Sequence, residues 1–470
     1  VRTPQEAEAE GLAPQSVVQI GAQHAASAFD CNKPPELAVM DKCVHCGFCL
    51  PACPTYVLWG EEMDSPRGRI WMMRKGATGE AELGQDFRVH MDNCLGCMAC
   101  LTACPSGVEY NKLIEDARGQ VERNVPRALD DSLFRKLLFA IFPHPGRLRA
   151  MRWPLAVYQH SGAQRLLRAS GVLRLLPKRL QAMEDLLPAV ALHKPQRAPS
   201  TLGRNSTRGR VGMLTGCVQD AFFAHVNAAT ARVLAAEGFE VVIPQGQGCC
   251  GALMMHSGMD ADAARAAKSI IVAFEAADVE VIVINAAGCG STMKEYGHLL
   301  RDDPAWAERA AAFSARCKDI SEVLPVLSTE ATRHALALRV AYHDACHLRH
   351  AQGIFAEPRA LLAEVPGLEV IEIAEASLCC GSAGVYNLLH PETAQELGER
   401  KARHLLATGA QAVVSANPGC LLQLMSALRR LGHAEIPAFH MVELLDASLR
   451  GISAEELLRA PRNTSYTLPQ

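Results

Sequence analysis

Two short stretches, CVHCGFCLPACP from Cys43 and CLGCMACLTACP from Cys94, each carry four cysteines with two, two and three residues between them and a proline after the last. Thiolates so placed are either metal ligands or halves of disulfides, and the spacing discriminates. Cysteines two residues apart on a tight turn or helix seldom reach the geometry of an S–S bond. Zinc sites usually split their ligands into two close pairs separated by a longer loop. Here the first three sulfurs of each comb curl around one centre, and the fourth (Cys53 or Cys104) points away along a following helix. Pro54 and Pro105 stop the preceding conformation and aim that fourth sulfur.

This spacing is that of two-cluster bacterial ferredoxins, in which the fourth cysteine of each comb ligates the other cluster. The expected sets are Cys43, Cys46, Cys49 and Cys104 for one [4Fe–4S] cluster, and Cys53, Cys94, Cys97 and Cys100 for a second.

Eight more cysteines form a duplicated set. Cys217, Cys249, Cys250 and Cys289 recur as Cys346, Cys379, Cys380 and Cys420, at offsets of 129, 130 and 131 residues. A constant offset marks one unit copied in tandem. Within each copy, apolar runs such as FEVVIP, VEVIVIN, LEVIEI and AVVSAN alternate with helical stretches, a βαβ grammar that implies a mostly parallel, helix-covered sheet. Every cysteine of the set follows a strand, at the carboxyl edge where open parallel sheets bind ligands. Buried small hydrophobes would not fall at three matching strand ends twice over. Metal or redox chemistry is therefore expected of at least one copy, which leaves room for a third iron–sulfur centre. Gly246, Gly248 and Gly251 match a dinucleotide-type G-x-G-x-x-G, but the second copy keeps only the Cys-Cys-Gly, so Gly251 is read as clearance beside thiol chemistry. His343 and His347 bracket Cys346, with ligand, proton-relay and ordinary polar roles all open to them. Cys31 is read as a free thiol and Cys317 as a core residue.

The elements that must position these thiols divide the chain. Residues 1–37 form an Ala-, Gln- and Glu-rich arm, and residues 38–125 a helical two-[4Fe–4S] ferredoxin-like domain. Between its combs, Arg67 and Arg69 belong to a solvated turn or to a docking or cluster-tuning contact. Residues 126–210 are a helical connector and linker whose Arg-rich amphipathic pattern suits packing on the cluster domain or a partner, or a membrane surface. Two Rossmann-like α/β units follow at 211–330 and 335–455, then a tail at 456–470. The fold class is thus multidomain α+β and α/β. With 49% hydrophobic and 21% charged residues and a net charge of −3, the composition is globular and has no bias toward nucleic acid. Metal-type cysteine clusters and the lack of a secretion-type or membrane-spanning segment fit a reducing cytoplasm.

Together the double comb, PRGRI, CPSGVEY, LTGCVQ, GCCGAL, GCGSTMKEYGHLL and CGSAGVYNLL make residues 40–450 resemble the iron–sulfur subunit of bacterial glycolate oxidase. Lactate-utilisation proteins, the anaerobic glycerol-3-phosphate dehydrogenase small subunit and heterodisulfide reductase share the Cys-Cys-Gly architecture. The resemblance implies a chain that oxidises nothing alone. A flavin (FAD) subunit would take the hydride from glycolate, giving glyoxylate, and this chain would relay electrons to an acceptor such as quinone. Membrane contact would be peripheral, at the inner face and through the complex. An alternative is the electron-transfer subunit of a lactate or glycerol-3-phosphate dehydrogenase, or a disulfide reductase. Heterodisulfide reductase-type units carry a further cysteine three residues after the last; Thr292 and Gln423 stand there instead.

Overall fold

Short helices separated by cysteine-bearing loops build the N-terminal part of the molecule. The computed structural model describes residues 27–192, 197–203, 207–324 and 331–459. In this part the helices are Leu37–Met40, Pro54–Trp59, Pro66–Ala77, Gln85–Asn93, Ala99–Ala103 and Tyr110–Asn124. Pro54 occupies the first helical position, where its missing N–H removes no intrahelical bond, so Cys53 becomes the N-cap. Cys104 instead closes Ala99–Ala103 as its C-cap, so only the first comb has a helix running on from its fourth cysteine. Part of the expected arm is anchored here. Phe29 is buried against Phe87, and Asp30 accepts hydrogen bonds from Gln120, Arg123 and Asn124. Residues 1–26 lie outside the described residues.

The PRGRI stretch is neither a turn nor solvated. Ser65 caps the helix Pro66–Ala77 by accepting from the Gly68 N–H at 3.0 Å. That helix carries Arg69 inward, to full burial, while Arg67 pairs with Glu62 and donates to the His45 carbonyl.

The connector forms helices Leu129–Ile141, Pro145–His160, Ala163–Ser170 and Lys178–Asp185. Leu138, Phe139 and Leu148 enter the core of the first α/β unit rather than that of the cluster domain. Other apolar residues of the connector remain outside, with Trp153 75% and Leu175 85% exposed. The stretch read as linker contributes an edge strand, β1 (Thr201–Leu202).

Two sheets follow. In the first, β1 pairs antiparallel with β3 (Glu240–Val242), and β3, β2 (Arg210–Met213), β4 (Val281–Ile284) and β5 (Cys317–Asp319) run parallel in that order. In the second, β7 (Leu368–Glu372), β6 (Leu338–His343), β8 (Ala412–Ser415) and β9 (Ala438–His440) are all parallel. Leaving β1 aside, each unit places its second strand outside its first and its third and fourth on the other side. That shared order is the structural mark of the duplication. Cys317 opens β5 as a buried core residue, and Cys31 is exposed.

The units pack face to face. The Ala287 N–H donates to the Ala416 carbonyl at 3.2 Å, joining the loops that leave β4 and β8. Arg232 holds Asp446 through two bonds of 2.7 and 2.6 Å, and one buried apolar core runs through both units. The cluster domain is wedged against this pair. Arg118 donates to the carbonyls of Met91, Cys94 and His256, while Thr102 bonds His350 Nδ1 at 2.8 Å. Contact is so close at Gly258 (φ +77°) that a Cβ there would stand 2.3 Å from the Arg118 carbonyl oxygen.

Candidate metal centres

The two combs fold into sites of opposite character. Cys43, Cys46, Cys49 and Cys104 line one small cavity together with His45, Arg67 and Tyr110; Cys100 reaches it from the other site. Cys46 is exposed and its three companions are half-buried. Beside Cys46, Val44 and Phe48 stand 68% and 66% exposed, an apolar rim around the site. Cys53, Cys94, Cys97 and Cys100 are all buried. The structure thus brings Cys104 to the first comb's trio. Cys53 is close enough to Cys97 and Cys100 for its charge to raise both thiols.

Burial pushes Cys97 and Cys100 well above the usual thiol range and Cys49 up to about 11. At Cys94 burial acts the same way, but the Arg69 and Arg118 guanidiniums outweigh it and hold the thiol below its ordinary value. A buried array of soft sulfur donors with two buried guanidiniums beside it fits an anionic thiolate-ligated cluster and little else. Arg69 is central. It donates to the His90 carbonyl at 2.6 Å and to Asp64 Oδ1 at 3.0 Å, and its Nη1 has no hydrogen-bond partner.

In the α/β half each cysteine set is drawn together at the carboxyl edge of its sheet. Cys217 and Cys249 sulfurs lie 3.7 Å apart, and Cys250 and Cys289 are near enough for their thiols to act on one another. Cys346 and Cys379 sulfurs lie 3.8 Å apart, and those of Cys380 and Cys420 lie within 4.8 Å of each other. Gly251 and Gly381, both at φ +88°, make the turn that follows each cysteine pair.

The two rims face each other across one cavity of about 400 Å³, lined by all eight cysteines. Sequence placed them on two rims but could not place the rims together. Connector residues Leu148, Met151, Leu155, Tyr158, Met183 and Leu186 roof it, making the cavity largely apolar. His256 and His347 line it too, their ring centres 4.9 Å apart and their planes tilted by 34°. Burial lowers them to about 4 and about 3, and burial raises Glu115, 3.3 Å from His256, to about 8. At neutral pH that His256–Glu115 pair is therefore uncharged and is no salt bridge. The buried comb site adjoins this region, because Cys97 packs in one apolar cluster with Cys346 and Cys379.

His343 escaped a firm assignment from sequence. It is 1% exposed, neither ring nitrogen has a hydrogen-bond partner, and its ligand atom lies within 4.8 Å of the Cys380 and Cys420 sulfurs.

Comparison with known proteins agrees with this partition. Residues 39–108 match the 4Fe-4S dicluster domain, 130–187 the linker region of the glycolate oxidase iron–sulfur subunit, and 211–294 and 340–425 the cysteine-rich domain. The chain is 43% identical over 413 residues to the probable glycolate oxidase iron–sulfur subunit of Bacillus subtilis, covering 86% of this chain and 92% of that one. It is 36% identical over 420 residues to the glycolate oxidase iron–sulfur subunit of Escherichia coli, covering 88% and 95%. A lactate utilization protein A of Exiguobacterium is 32% identical over 241 residues, covering 51% and 98%.

Proposed function

Because this chain belongs to the family of glycolate oxidase iron–sulfur subunits, we propose that it carries electrons from a flavin-bearing partner, which oxidises glycolate to glyoxylate, to a lipid-soluble acceptor such as quinone. Bound clusters supply one-electron transfer, whereas glycolate gives up two electrons and two protons, so a two-electron cofactor must stand upstream. The observation that carries the reading is the sequence of environments. An exposed thiol site leads to a buried one, which abuts the cysteine rims of the cavity.

Each stage has its own residues. Val44 and Phe48 offer the partner an apolar landing around Cys46. Cys43, Cys46, Cys49 and Cys104 are read as ligands of the outer cluster, and Cys53, Cys94, Cys97 and Cys100 as ligands of the inner one. The set Cys217, Cys249, Cys250 and Cys289 and its copy Cys346, Cys379, Cys380 and Cys420 form the inner end. There the two units are read as Rossmann-like, with their switch points, between β2 and β4 and between β6 and β8, turned toward the cavity. The test is anaerobic mixing of the complex with glycolate, followed separately at flavin and cluster wavelengths. Cluster bleaching should follow flavin reduction, and Cys46→Ala should abolish the bleaching while leaving flavin reduction intact. Glycolate turnover by the isolated chain, or unchanged bleaching in the variant, would overturn the reading.

The acceptor side rests on the connector. Between Asp131 and Glu184 it has no acidic residue and ten Lys and Arg, of which Arg135, Arg149, Arg168 and Arg179 pair with acids outside that stretch, and it exposes Trp153, Leu166 and Leu175. Basic and apolar together, that face suits an anionic lipid surface, with the apolar cavity beneath it open to a lipid-soluble acceptor. No described helix is long and apolar enough to cross a membrane, so the contact is peripheral. Sedimentation with vesicles containing about a third anionic lipid should retain the protein at low salt. Leu166→Glu with Leu175→Glu should weaken retention at least tenfold, a loss of about 1.4 kcal/mol or more. Equal retention of both proteins would exclude this face.

A further inference from the structure

Two cavities meet at one imidazole. The apolar cavity of about 400 Å³ holds the cysteine rims. A second, of about 330 Å³, lies between the cluster domain, the connector and both α/β units, and is lined by charged groups such as Asp92, Arg127, Asp130 and Asp131. It reaches the surface at Val89, Ala128 and Asp130, all exposed. Among the described residues, only His256 and Ala383 line both cavities. A charged space that opens to solvent and an apolar one thus meet at a single titratable side chain. His347, the other histidine of the apolar cavity, does not line the charged one.

The His256 side chain is 12% exposed, and neither ring nitrogen has a hydrogen-bond partner. Its Nδ1 stands 3.3 Å from Oε1 of Glu115, whose side chain is 7% exposed and whose Oε2 is unpartnered as well. Buried polar atoms left without partners are costly, and relay pairs often align only once the reacting molecule is bound. Glu115 is suited to store a proton. Burial first, and the Asp116 charge next, raise it to about 8 against the pull of the Arg118 guanidinium, so the carboxyl is protonated at neutral pH. The groups that face it are Asp116 and Arg118 from its own helix Tyr110–Asn124, Asp260 from the helix Asp260–Glu275, His256, and Glu295 at the head of Tyr296–Leu299. Burial raises Glu295 to about 8 too, so a carboxyl titration must be assigned by substitution.

We infer that His256, with Glu115 behind it, is the proton inlet for an acceptor reduced in the apolar cavity, an inference that rests on reading that cavity as the acceptor site. A quinone-type acceptor takes up two electrons and two protons. An oxygen that gains electrons in an apolar space must receive its proton there, because an unpaired charge is costly away from water. In each of two transfers the Nε2–H bond of His256 breaks as an acceptor O–H bond forms, and the Glu115 carboxyl proton passes to Nδ1. A solvent proton entering by the charged cavity then lands on Nε2, and the Nδ1 proton returns to Glu115. The two electrons are those that glycolate gives up, so glycolate is oxidised, the quinone is reduced, and both residues end as they began.

The test uses the anaerobically purified complex, driven by glycolate, with two acceptors: a short-chain quinone, and ferricyanide, which takes an electron and no proton. Glu115→Gln keeps size and polarity but stores no transferable proton, and should lower the ratio of quinone to ferricyanide reduction about 100-fold. His256→Gln should do the same. Wild-type quinone reduction should fall as pH rises through about 8, where the Glu115 store empties, and Glu115→Gln should lack that limb. A readout without turnover is the infrared spectrum of the full chain. A protonated-carboxyl band should vanish over the same pH range in the wild type and be missing from Glu115→Gln. Should that variant assemble no clusters, His256→Gln and the wild-type pH limb decide. An unchanged acceptor ratio in the variants, equal slowing with both acceptors, or no carboxyl band assignable to Glu115 would overturn the relay and leave the acceptor reading standing. A wild-type complex that reduces ferricyanide but no quinone would overturn that reading, and the relay with it.

Discussion

Replacing Cys53 by serine should cost the protein the cluster of the other comb. Cys53 belongs by sequence to the first comb, but its sulfur is buried with the second, beside Thr55 Oγ1 at 3.2 Å and within the electrostatic reach of Cys97 and Cys100. A serine oxygen is a poor ligand for iron that prefers thiolate. The inner site should lose most of its four irons, while the outer site, with Cys43, Cys46, Cys49 and Cys104 intact, keeps its own. Because the inner site is the only buried thiol group adjoining the cavity rims from the cluster domain among the described residues, acceptor reduction by the complex should fall more than 100-fold. Iron analysis and glycolate-driven acceptor assays on the anaerobic complex would check this. Loss of the outer cluster instead, or of neither, would contradict the crossed ligand sets.

The second large effect is expected at Arg69. Replacing it by methionine preserves length and burial but takes the guanidinium from Asp64, whose side chain is 6% exposed and keeps Asn93 and His90 as neighbours, and removes the donor to the His90 carbonyl. Breaking one side of a buried ion pair costs about 3–5 kcal/mol. At a slope near 2 kcal/mol/M, urea-driven loss of cluster absorbance should shift down by about 2 M. A second consequence separates packing from charge. Arg69 is the first of two guanidiniums that hold Cys94 below the thiol range against the effect of burial. Adding Asp64→Leu should restore much of the urea resistance, because both partners are then apolar. It should not restore cluster assembly at mildly acidic pH, where thiolates become scarce and metal affinity falls. If the double variant recovers both properties, Arg69 serves packing alone.

The legibility of this molecule in its sequence follows the range of the interactions. The comb spacing was legible because a local loop sets it; the crossed ligand sets are an expectation from that spacing, and the structure puts Cys104 in one cavity with Cys43, Cys46 and Cys49. The α/β duplication was legible because three cysteine groups recur at nearly constant offsets. What the sequence concealed depends on packing between distant segments. For Arg69 the sequence leaves a solvated turn and a docking or cluster-tuning contact equally open, and only the helix that Ser65 starts, which carries Arg69 inward, excludes the turn. The connector's amphipathic pattern says that one face packs but not against what, so it could not say that Leu138 and Leu148 serve the first α/β unit. Nothing local announces that Ala287 meets Ala416 and turns two separate rims into one cavity. His343 was visible only as one of two histidines beside a cysteine; comparing the copies at Leu214 is the signal that could have singled it out.

The closeness of Arg118, Gly119 and Gly258 bears on how such a protein can be recombined. Its composition suggests interchangeable parts, a dicluster domain joined to a cysteine-rich half. At the seam, however, a Cβ on Gly258 would collide with the Arg118 carbonyl, and one on Gly119 would stand 2.2 Å from Asp260 Oδ2. A generic dicluster domain grafted in place of residues 38–125 would bring all eight comb cysteines and still lack a glycine and an arginine at these points. Its helix would be held off by several tenths of an ångström or more, and the Arg118 bond to the His256 carbonyl would be missing. The two halves are modules by ancestry and a single fitted piece in practice, so a workable chimera must carry the seam along with the clusters.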